Sequence, residues 1–63
     1  MMSATFEAAM KIIPTLTKDV LEKMLKQMNE DSNFTHFGLK DDSEFTVLKF
    51  AIVDRIYLNN INE

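Results

Sequence analysis

The sequence predicts an all-α fold, a small three-helix domain with an irregular loop between the second and third helices, and three observations carry that prediction. Apolar residues recur three and four positions apart in three separate segments. Residues that cap helices stand just ahead of each segment: Ser3, Thr17, and Asp41, Asp42 or Ser43. The period also breaks where a helix should end, at Pro14 and again over residues 30 to 41.

Residues 4 to 13 place Phe6, Ala9, Met10 and Ile13 at helical spacing, with Ser3 as the cap and Glu7 near the positive end of the helix dipole. Proline lacks an N–H and crowds the residue before it. Ile13 is therefore expected to be extended, and the chain to turn at Pro14 and Thr15.

The second helix has the plainest signal. Thr17 caps residues 18 to 29, Asp19 lies in the first turn, and Leu16 is placed to staple onto Leu21. Val20, Leu21, Met24, Leu25 and Met28 form one apolar stripe. Opposite it, Asp19 with Lys23 and Glu22 with Lys26 are spaced as favourable i,i+4 ion pairs. Residues 30 to 41 then read as a loop whose Phe34 and Phe37 cover the bundle without strand pairing.

Asp41 and Glu44 are spaced like a capping box, and the last helix runs to about Asn59. Plotted at about 100° per residue, Phe45, Leu48, Ile52 and Ile56 make one apolar face, and Val47, Ala51 and Leu58 make a second roughly opposite. A helix with two apolar faces needs two partners. The rival reading is a buried strand, since Phe45, Thr46, Val47, Phe50, Ile52 and Val53 favour sheets, but the segment is too long for one strand.

Composition sets the bounds on function. Sixty-three residues form a single helical interaction domain spanning residues 1–63, and a chain that short buries only about 60% of its unfolded surface, so it gains from a partner. One glycine excludes phosphate loops built on repeated glycines, and the lack of cysteine excludes disulfides, thiolate metal sites and cysteine nucleophiles. A net charge of −3 disfavours direct attraction to nucleic acid. Neither a signal peptide nor a membrane span fits the sequence, so a cytoplasmic protein is expected.

Chemical motifs are scarce. His36 is the only histidine, and a zinc site needs more nitrogen or sulfur ligands than the chain offers. An acid–base pair of His36 with Asp31, Asp41 or Asp42 is conceivable, although capping and solvation account for those acids. Residues 31 to 42 imitate a calcium loop at Asp31, Asn33 and Thr35, but His36 stands where the sharp turn needs glycine, and Asp42 replaces the bidentate glutamate. Ser3, Ser32 and Ser43 sit at caps or turns, and Met10, Met24 and Met28 fill the apolar stripes. No catalytic residue, metal site or cofactor is expected.

Two stretches resemble the Hha/YmoA family of small helical nucleoid modulators: Thr17 through Lys23, and Asp42 through Leu48 continuing from Ala51 to Arg55. Met10-Lys11-Ile12 extends the likeness. The resemblance implies docking of acidic helix residues, here Asp19 and Glu22, onto the basic surface of a nucleoid-structuring protein. In that family the late helix carries an Ala-Asp-His-Arg-like run. Here Ile52-Val53-Asp54-Arg55 moves the acid about 100° around the helix relative to the arginine.

The expectation from sequence is a non-enzymatic regulatory protein that binds and modulates another protein with a basic surface, with a nucleoid-associated transcription regulator as the candidate the resemblance implies. Its partner-binding residues would be Asp19, Glu22, Val47, Ala51, Asp54, Arg55 and Leu58. The alternatives are a small inhibitor (an antitoxin, immunity or phage early protein) and a self-assembling helical homodimer. Neither a nucleic acid nor a membrane is an expected partner.

Overall fold

The computed structural model describes residues 3–62, with side chains through Asn59. The elements in order are α1 (Ala4–Ile12), a 3₁₀ turn (Ile13–Thr15), α2 (Lys18–Glu30), a second 3₁₀ turn (Phe34–Phe37) and α3 (Asp42–Asn62). All regular structure among the described residues is helical.

Ser3 caps α1, its Oγ accepting from the Phe6 N–H at 3.2 Å. Ile13 departs from its expected extended conformation. It remains helical (φ −49°, ψ −46°) and its N–H still donates to Ala9, because its side chain is drawn into the core. The extended residue is Leu16, after the 3₁₀ turn, and it redirects the chain into α2. Burial outweighs the local penalty that proline imposes on the residue before it.

Thr17 caps α2 through the Val20 N–H, and Leu16 and Leu21 join the same core. Leu21 is fully buried and Met28 nearly so, while Met24 and Leu25 pack at the margin. Val20 departs from the predicted stripe and is 40% exposed, since it lies about 100° away from Leu21. Asp19–Lys23 and Glu22–Lys26 do not close to ion-pair distance; all four side chains are exposed, where such pairs are weak.

The connection from α2 to α3 is a compact loop. Asp31 Oδ1 accepts from the Asn33 N–H, and Asn33 Oδ1 caps the second 3₁₀ turn through the Thr35 N–H. Gly38 ends that turn in the left-handed region (φ 72°), where L side chains are strained. A Cβ there would also stand 3.3 Å from Thr5 Cγ2 on α1. Phe34 and Phe37 pack on the core as expected, with the Phe37 and Phe45 rings 5.7 Å apart.

The core comprises Phe6, Ile13, Leu21, Met28, Leu39, Phe45, Leu48 and Ile52. α3 is the common wall, packing most extensively on α2 and also on α1 and both 3₁₀ turns. The molecule measures 34 × 24 × 15 Å. Two helix layers about 8–10 Å apart, with a backbone radius of about 2.3 Å on each side, fill the short dimension. Each helix can therefore bury one side only.

Candidate functional site: the outer face of α3

Two-layer packing leaves one side of α3 without a covering element. Phe45, Leu48 and Ile52 face inward, and the positions about 180° away on the wheel are Phe50 and its neighbours Thr46, Val53, Asp54 and Tyr57. Phe50 is 65% exposed and Tyr57 64%. Val47, Val53 and Leu58 are exposed beside them, so five of the large outward side chains on this helix are apolar or aromatic. Scattered exposed apolar residues are ordinary, but a run of them along one side of a single helix makes that side the candidate interaction surface.

Within the stripe lies a shallow groove of ≈350 Å³ lined by Phe45, Thr46, Lys49, Phe50 and Val53. Lys49 is half-buried along its edge and Asp54 is exposed on the other side. Neither has a hydrogen-bond or ion-pair partner among the described residues.

The predicted site residues divide into three groups. Val47, Asp54 and Leu58 lie on this outer face. Ala51 does not; it is half-buried against the core, because its direction is closer to Leu48 than to Phe50. Arg55 belongs to the fold as well, donating from Nη2 to the Pro14 carbonyl at 3.2 Å and tying α3 to the first 3₁₀ turn, with its Nε buried and unpartnered.

Asp19 and Glu22 are exposed on the side of α2 opposite Leu21. Since α2 and α3 pack core face to core face, their outer faces point in opposite directions, and the predicted residues do not converge on one surface. Lys23 and Lys26 share the outer face of α2, so its charge is mixed rather than acidic.

Phe50, Val53 and Tyr57 were not among the residues predicted from sequence, although their i, i+3, i+7 spacing was the available signal.

A second polar constellation secures the base of α3. Glu44 is only 5% exposed. Its carboxylate accepts from the Ser3 N–H at 2.7 Å, the Ser3 hydroxyl at 2.8 Å and the Lys40 N–H at 2.8 Å. Ser3 caps α1, so one carboxylate lies at the positive ends of two helices. Partial burial pushes this carboxyl up, but the Lys40 and Ser3 hydrogen bonds and the Lys40 charge outweigh that and hold it below its ordinary value. The capping box is thus half formed: Asp41 Oδ1 accepts from the Glu44 N–H at 2.9 Å, while the Glu44 carboxylate reaches across to α1 instead of back to Asp41.

On the loop, His36 Nδ1 donates to Asp31 Oδ2 at 2.6 Å, and Asn33 Nδ2 lies 3.4 Å from His36 Nε2. The His36 hydrogen bond first, and the Asn33 N–H second, hold the Asp31 carboxyl below its usual value. Both side chains are exposed, and their contacts fasten the loop. Among the described residues no group of three His, Cys, Asp or Glu side chains is placed to hold a metal ion, and no helix is long and apolar enough to cross a membrane. No protein-family model, curated protein or solved structure matches this chain.

Proposed function

We propose that this chain is a small non-catalytic regulatory protein that acts by binding and modulating another protein, with the outer face of α3 as a docking face for a polypeptide. The observation that carries this reading is the exposed stripe of Phe50, Val53 and Tyr57 on the helix whose opposite side forms the core. Aromatic side chains on a rigid helix bury large areas on docking while losing little conformational freedom, which makes them strong anchors. The resemblance to Hha/YmoA proteins adds a candidate partner class, a nucleoid-associated regulator with a basic surface, which Asp19 and Glu22 would meet from α2. A cytoplasmic setting belongs to the same reading.

The test is capture of a binding partner from cell lysate by the purified chain, run beside Phe50→Ser and an Asp19→Lys/Glu22→Lys double variant. Stoichiometric capture by the wild type, lost in Phe50→Ser with an unchanged circular dichroism spectrum, supports docking through α3. Equal capture by wild type and Phe50→Ser removes α3 from the reading. Loss in the double variant alone transfers binding to α2.

A further inference from the structure

The outer face of α3 has the register of a short coiled-coil seam. Placing a at Phe50 and Tyr57 puts d at Thr46 and Val53. The same register puts Lys49 at g and Asp54 at e, the flanking positions whose charges set partner and orientation in coiled coils. In a parallel pair, the g position of one helix faces the e position five residues on in the other. Lys49 and Asp54 are five residues apart, opposite in charge and without partners among the described residues.

The groove supplies an independent geometric match. Thr46, Lys49, Phe50 and Val53 stand at i, i+3, i+4 and i+7, the diamond of four side chains that makes a hole on a helix surface, and they line the ≈350 Å³ depression. In a parallel, in-register pair, the knob entering the hole with these d, g, a and d corners is the partner's a residue, which here is Phe50. The exposed aromatic and the cavity that receives it occur on the same helix.

An antiparallel pair lacks this agreement. It sets like edges against each other, which brings Asp54 against Val47 and leaves both charges unmatched.

We propose that the polypeptide occupying the outer face of α3 is a second copy of this chain, joined in a parallel, in-register two-helix seam with two symmetric Lys49–Asp54 contacts. This rests on the reading of α3 as a docking face and names its occupant. A two-fold axis running along the seam places the two cores on opposite sides and leaves both α2 outer faces exposed.

The absence of cysteine makes the test direct. Thr46→Cys and Tyr57→Cys each introduce one exposed thiol on the seam. Equivalent a or d positions of a parallel pair come within disulfide reach, whereas an antiparallel pair separates them. The expected result is a concentration-dependent dimer by sedimentation equilibrium, with each variant forming a disulfide dimer under mild oxidation. Lys49→Asp or Asp54→Lys alone weakens the dimer roughly tenfold, and the two together restore it.

A chain that stays monomeric at millimolar concentration overturns the inference. So does a dimer in which Thr46→Cys and Tyr57→Cys cross-link only with each other in a mixture. If the monomer still captures a different protein in a Phe50-dependent way, self-association falls while the docking face stands. If neither association depends on Phe50, both fall.

Discussion

α2 and α3 share one core and finish their surfaces in opposite ways. α2 buries Leu21 and Met28 and turns Asp19, Glu22, Lys23 and Lys26 to water. α3 buries Phe45, Leu48 and Ile52 and turns Phe50, Val53 and Tyr57 to water. Folding alone satisfies the first helix, because its polar side has nothing to gain from a cover. The second keeps apolar surface whose burial is still favourable, at about 25 cal/mol for each Å² removed from water. Where a two-layer fold leaves such a face, the stabilisation still available lies in association.

The largest effect is expected from truncating the two sides of α3. Ile52→Ala, like Leu21→Ala in α2, is expected to cost about 2–5 kcal/mol in urea unfolding, since both side chains are fully buried. Phe50→Ser should stay within about 0.5 kcal/mol in dilute solution, where the face is uncovered. Comparable losses at Ile52 and Phe50 would mean that the outer face is already buried in the isolated chain, and the contrast between the helices would disappear.

A smaller effect is expected at the base of α3. Glu44→Gln keeps the shape of the side chain but removes the charge that the Lys40 and Ser3 donors stabilise. The folded carboxyl titrates below the ordinary value of 4.5. A depressed carboxyl contributes stability that is fully present above its unfolded value and is lost as pH falls through the folded one. Wild type should therefore lose stability as pH drops from neutral through that acid range, and Glu44→Gln should begin lower at pH 7 and fall less steeply. Parallel pH profiles for the two forms would deny Glu44 that role.

Gly38→Ala tests the loop that joins the two helices. Its φ of 72° and the nearby Thr5 methyl both oppose a Cβ, so a loss of about 1 kcal/mol is expected in thermal or urea unfolding. No loss would show that the turn relaxes freely and does not fix where α3 begins.

How legible each helix was in the sequence follows from the same contrast. Leu21, Met24, Leu25 and Met28 were read correctly because one apolar side and one charged side leave a single orientation. α3 offered apolar residues around most of its circumference. Its inner face is legible in Phe45, Leu48 and Ile52; of the second face that the spacing predicts, Val47 and Leu58 are exposed and Ala51 is half-buried against the core, while Phe50, Val53 and Tyr57 extend the exposed side. Ala51 is small enough to sit at the margin of the core, and only tertiary packing determines which side of such a helix the margin takes. The hydrogen bond of Arg55 is not legible in the sequence for a related reason: its acceptor, the Pro14 carbonyl, is 41 residues away and leaves no local trace. The link from Glu44 to Ser3 is equally distant, although the spacing of Glu44 from Asp41 correctly marked the start of the helix.

The smallest effect on stability is expected from the outer face of α2, and it decides which helix carries function. Asp19 and Glu22 are exposed and make no ion pair, so Asp19→Lys/Glu22→Lys should leave unfolding within about 0.5 kcal/mol of wild type. The seam proposed on α3 lies on the opposite side of the molecule, and its dimer constant should be unchanged when the double variant is compared with wild type by sedimentation equilibrium. An unchanged dimer that loses a basic partner would show two independent surfaces: α3 joining the copies, and two α2 faces presenting acids. A dimer weakened by the double reversal would place α2 at the interface, and the contrast between the two helices would have to be redrawn.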